Sequence, residues 1–249
     1  MRTAHPIRAI LPLLCASAGL LAASSAMAGP ADTVYTLNVE KGETEFEWRA
    51  GYRNYADAPS DHAFVFDIGY SVNNRWKTEL VLEYAVEGGN PGKLEAMEWE
   101  NVVLLTEQGK YWADLGLFAE YENVFAAGPD QIKIGPMFQK EIGATVANVN
   151  LLFLREIGSG ASHTTKLDYT WQVKWRGREA LEWGVQGFGG FGAVDHLGDG
   201  DRHSVGPALF GVQRLANGNK IAYNAAVLAG LNPAAPDMTV RAQLEYEMY

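Results

Sequence analysis

Between Thr165 and Trp175 apolar and polar side chains take strict turns. Thr165, Leu167, Tyr169, Trp171, Val173 and Trp175 fall on one side, and Lys166, Asp168, Thr170, Gln172 and Lys174 on the other. A period of two is a β-strand with one greasy face and one ionic face. The run 163–177 is about twice the length usual for a strand in a soluble protein. Such a strand suits a bilayer crossing, with its aromatic face to lipid and its charged face to a watery interior.

The same alternation recurs along the chain. It predicts strands over 43–55, 63–70, 76–86, 95–105, 111–121, 132–139, 144–156, 163–177, 181–191, 203–213, 221–230 and 238–248. In the fourth, Asn101 shares the face of Met97, Trp99 and Val103, which signals a bulge or a slip of phase. Pro136 and Pro207, in the matching stretches IGPMF and VGPAL, lack a ladder donor and predict bulges or gaps in pairing. Connections after the even strands read short, those after the odd strands longer and richer in Gly, Pro, Asp and Ala. An even strand number with this alternation predicts a transmembrane antiparallel up-and-down β-barrel of about twelve strands, its termini in the periplasm. Closure is required because lipid offers nothing to an open sheet edge. Aromatic residues fall at both ends of the strands, among them Tyr70, Trp76, Tyr111, Trp175 and Trp183 at one end and Tyr52, Tyr84 and Tyr121 at the other.

The N-terminus departs from this pattern. Arg2 and Arg8, an apolar run through Leu21 and the small residues Ala26-Met27-Ala28 make residues 1–28 a signal peptide, cleaved after Ala28, and no membrane helix. Residues 29–42 read as a short periplasmic segment, since Asp32, Glu40 and Lys41 spoil any apolar face, with the barrel over 43–249. Cleavage removes Cys15, the only cysteine, and with it any disulfide or thiolate chemistry. It also removes two arginines and no acid, leaving 18 basic against 30 acidic side chains, a net charge of −12. That balance disfavours nucleic acid as a partner. The bacterial outer membrane, with its lipid, is the expected location.

The water-facing positions carry the chemistry. Glu45, Glu47, Arg49, Asp67, Glu79, Glu83, Asp114, Glu120, Lys166, Asp168, Lys174, Glu182, Arg241 and Glu245 are the expected lumen lining, and their acidic excess favours small cationic or neutral solutes. The alternative is a plugged interior in which Glu–Arg and Glu–Lys pairs satisfy one another. Strands one and twelve should meet at closure, setting Arg49 and Arg53 beside Glu245 and Glu247. Loop VDHLGDGDRH gathers Asp195, His196, Asp199, Asp201 and His203, but its spacing matches no calcium or zinc pattern, and no metal or cofactor is expected. His203-Ser204 is the one adjacent pair a lipid hydrolase would use, and neighbours in a strand point to opposite faces. An enzyme is therefore not expected.

Behind its signal peptide, the chain carries HSVGPALFG and closes on KIAYNAAVLAGLNPAAPDMTVRAQLEYEMY. These resemble a proteobacterial family of small outer-membrane barrels grouped with transporters of the phenol-degradation MetA type. The resemblance implies insertion by the barrel-assembly machinery through a last strand ending in an aromatic, here Tyr249, and passage of a small-molecule solute. A non-conducting structural or assembly barrel is the alternative.

Overall fold

The computed structural model describes residues 29–125, 128–198 and 202–249. The expected signal peptide lies outside the described residues, as do Asp199 and Asp201. Twelve strands run antiparallel: β1 Thr44–Asn54, β2 Asp61–Asn73, β3 Trp76–Val86, β4 Lys93–Leu104, β5 Asp114–Val124, β6 Asp130–Ile142, β7 Thr145–Ile157, β8 Thr165–Arg178, β9 Leu181–Ala193, β10 Arg202–Arg214, β11 Lys220–Gly230 and β12 Met238–Met248. Each pairs with its neighbours in sequence, and β1 pairs with β12 from Thr44↔Met248 to Asn54↔Met238, so the sheet closes and leaves no edge. One mouth carries the even-strand turns, the start of β1 and the end of β12 (the terminal end); the other carries the connections after odd strands (the loop end).

The alternation decides the faces. Trp48, Phe64, Ile68, Tyr70, Leu80, Trp99 and Leu244 stand exposed on the outside, while Glu45, Arg49, Asp67, Glu100, Glu120 and Arg241 are buried within. An apolar outside around an ionic inside is the inverse of a soluble core, and it places the solvent that must be apolar on the outer surface.

Asn101 is explained by its neighbour. Its Oδ1 accepts the indole N–H of Trp76 at 3.0 Å, so the amide has a partner on the outer face. The bulge sits earlier, where Glu83 faces Ala96 and Tyr84 faces Leu94, which leaves Glu95 as the extra residue. Both Gly-Pro stretches interrupt pairing toward the following strand without changing register: Ile134↔Phe153 resumes at Met137↔Asn150, and Val205↔Ala229 at Ala208↔Ala226. A Cβ on Gly135 would collide with the Leu151 carbonyl, and one on Gly206 with the Val227 carbonyl. The glycine lets the neighbouring backbone close in where the proline cannot donate.

Three expectations need correction. β5 begins at Asp114, so Tyr111 lies outside it, in a connection of nine residues that is the longest at the terminal end. Asp114 accepts the Gly109 N–H at 2.7 Å and Thr106 Oγ1 the Leu115 N–H at 2.9 Å, which holds 105–113 as a folded turn. At the seam Glu47 faces Glu245 and Glu45 faces Glu247; Arg49 faces Gln243 and pairs instead with Glu47 (2.9 Å) and Asp67 (3.5 Å). The third correction concerns residues 29–42, which do not trail outside the barrel. They run through it.

Candidate functional site

The site is the interior, and residues 29–43 divide it. These residues form no strand; they pass from the terminal end, where the Gly42 N–H reaches the Ser71 carbonyl at 2.8 Å, to the loop end, where Arg53 donates to the Gly29 carbonyl at 2.8 Å. Their side chains meet the wall in three places. Leu37 and Val39 pack on Val102, Leu104, Phe118, Met137, Leu152 and Leu154. Val34 packs on Phe188, Ala208, Phe210, Ala226 and Leu228. Ala31 packs on Ala63, Val65 and Val81. Burying Leu37, 1% exposed, is worth about 1.5–3 kcal/mol.

An irregular backbone inside a barrel must also place its polar groups. Gln139 Oε1 accepts the Leu37 N–H at 3.2 Å, Asn150 donates to the Tyr35 carbonyl at 3.1 Å, and Gln108 donates to the Leu37 carbonyl. The last bond explains the long turn before β5: 105–113 folds so that Gln108 reaches the segment. The Tyr35 ring lies tilted against Phe118 with centroids 4.0 Å apart, and its hydroxyl donates to Glu100 at 3.0 Å.

The wall itself is of two kinds. Across β6 to β9 and on to β12 runs a chain of amides: Asn148 donates to Gln139 (2.7 Å), Gln172 to Asn148 (3.1 Å), Gln186 to Gln172 (3.0 Å), and Arg241 to Gln186 (2.6 Å). From β1 to β5 the wall is acidic. Glu45 and Glu79 share Lys77 at 2.5 and 3.1 Å, and Glu120 takes Lys133 at 2.7 Å. Glu98, Glu100 and Glu120 bring carboxylate oxygens within 4.8 Å of one another.

The segment leaves a cavity on each side. The larger, about 950 Å³, opens toward the terminal end; Glu45, Glu47, Arg49, Asp67, Glu79, Lys174 and Glu245 line it, beside the segment's Tyr35, Asn38 and Glu40. The smaller, about 430 Å³, lies toward the loop end and takes in Glu83 and Asp168, with Asp32 and Tyr35 from the segment. Of the remaining predicted residues, Glu182 pairs with Lys174 at 3.0 Å, Lys166 is the second residue of β8 at the loop end, and Asp114 serves the turn described above. Arg241 lines a separate small cavity. The inward apolar positions Val102, Leu104, Phe118, Leu152 and Leu154 escaped the prediction of a polar lumen. They were the available signal that something apolar covers them.

At the terminal end the chain's last residue meets the base of the segment. The Tyr249 hydroxyl donates to Glu40 at 2.9 Å and also reaches Glu43, and Lys220 lies 2.8 Å from Glu247 and 3.9 Å from Glu43. Burial, more than its neighbours, pushes the Glu43 carboxyl up to about 7, against the pull of its Tyr249 hydrogen bond.

No protein-family model matches the chain, and no curated protein does. Among solved structures, an outer membrane channel from Pseudomonas putida F1 superposes with a TM-score of 0.56 at 9% identity, over 84% of this chain and 96% of that one. The chain has the fold of an outer-membrane β-barrel. Outer membrane phospholipase A from Escherichia coli aligns less well, with a TM-score of 0.43 at 7% identity over 86% of this chain and 95% of that one.

Ser204 faces an interior cavity, whereas His203 packs against Phe191 and its Nδ1 lies 2.8 Å from the Tyr169 hydroxyl. In the loop after β9, Asp195 and His196 lie 3.3 Å apart and both are exposed.

Proposed function

We propose that this barrel is a narrow outer-membrane channel for small neutral or cationic solutes, exported by a signal peptide cleaved after Ala28. The observation that carries the reading is the acidic wall of β1 to β5 facing two cavities that both reach Thr33 and Tyr35 of the interior segment. An acidic wall in a low-dielectric barrel lowers the free energy of a passing cation relative to an anion. The segment has no sheet ladder of its own; side chains and small apolar contacts hold it. Passage then requires the segment to shift, which costs those contacts and not the barrel. Insertion by the barrel-assembly machinery follows from the resemblance to the MetA-type transporters.

The test is conductance in planar bilayers of the purified barrel and of a variant lacking residues 30–40. The expected result is small, cation-selective steps in the intact protein and several-fold larger ones in the variant. Silence from both would overturn the reading. Conductance confined to the variant would favour a second one, a structural barrel sealed by its own segment, for which the many contacts of Leu37 and Tyr35 are the supporting observation.

A further inference from the structure

Arg241 breaks the rule that buried charges are paired. Its side chain sits on β12 in the middle of the interior, 2% exposed, with the guanidinium over the Phe188 ring at 5.0 Å. Nη1 donates to Gln186 at 2.6 Å and to Asn224 at 3.4 Å, both neutral amides. Among the described residues Nε and Nη2, both buried, find no hydrogen-bond partner, and no carboxylate lies within ion-pairing distance of this arginine. A guanidinium cannot shed its charge as a carboxyl can, so its burial demands a counter-charge.

The place for one adjoins it. Arg241 lines a cavity of about 30 Å³ together with Arg53 of β1, Arg202 of β10, Ser204 and Thr239. Three arginines, a serine and a threonine thus line a space the size of one small ion. The one carboxylate on that wall, Asp32 of the interior segment, bonds neither free nitrogen of Arg241. The space holds no acetate-sized molecule. We propose that this cavity binds a compact monovalent anion, chloride, which ties the start of the interior segment to β1, β10 and β12. The site contrasts in charge with the acidic side chains of β1 to β5, and it does not depend on whether the barrel conducts.

The experiment uses bromide as the probe. Crystals of the mature barrel grown with sodium bromide should show an anomalous peak in the cavity, within hydrogen-bonding distance of Arg241 Nε or Nη2. The peak should vanish in Arg241→Gln. The unfolding temperature in detergent should drop by a few degrees when gluconate replaces chloride at equal ionic strength, and Arg241→Gln should abolish that dependence. Absence of the peak in the wild type would overturn the proposal, as would a peak that survives the substitution. Should Arg241→Gln fail to fold, Arg202→Gln is read in its place: a loss of most of the bromide signal supports the site, and an unchanged signal overturns it.

Discussion

The two walls of the interior follow one strand geometry and solve the burial of polar groups in opposite ways. From β6 round to β12, neutral amides bond one another in a chain from Gln139 to Gln186 and on to Arg241, and what is left over bonds the backbone of the interior segment. From β1 to β5, carboxylates outnumber their cations, and several share one: Lys77 serves Glu45 and Glu79. Glu120 Oε1 and Asp67 Oδ1 are buried without a hydrogen-bond partner among the described residues. The amide wall holds the segment in place. The acidic wall, with carboxylates in excess, retains attraction for a cation, and on the proposed reading that is the wall a solute would use.

Substitutions should separate the two. The largest effect is expected where the segment is gripped by packing: Leu37→Ala should cost about 2–5 kcal/mol in the free energy that keeps the segment inside, measured as a rise in the open fraction of single channels. Outright closure unaffected by this change would mean that the apolar patch is not the grip. Next, Gln139→Leu on the amide wall should cost about 1–3 kcal/mol, because it orphans the Leu37 N–H and an Asn148 donor, whereas Glu100→Gln on the acidic wall should leave chemical stability equal or higher while reducing cation selectivity in reversal-potential measurements. Equal destabilisation by both would erase the distinction between the walls.

A further effect concerns pH. Glu43 has its folded pKa raised to about 7, above the value near 4.5 of a free side chain, so the folded state binds its proton more tightly. Its contribution to stability is complete below about 4.5 and is lost as pH rises through about 7. Unfolding in detergent followed from pH 4 to 8 should show this loss, and Glu43→Gln should flatten it. A slope unchanged in the variant would assign it to other groups.

What could be read in the chain and what could not divide along a physical line. Strand number, the outward placing of Trp48, Phe64 and Leu244, and the inward placing of Glu45, Asp67 and Arg241 follow from a period of two, which any single strand displays. The breaks at Pro136 and Pro207 follow from a missing N–H. The start of β5 did not follow, because Asp114 and Gln108 fold their turn toward Leu37, more than seventy residues away. Nor did the location of 29–43: read alone, Asp32, Glu40 and Lys41 describe a soluble leader, and only the ring shows that Val102, Phe118 and Leu154 need Leu37 and Val39 against them. The unpaired charge of Arg241 became visible in the same way. Alternation tells each side chain whether it points inward, but whom it meets there depends on strands brought together from across the whole sequence. In a closed ring, that meeting is settled by register and closure and not by neighbours in the chain.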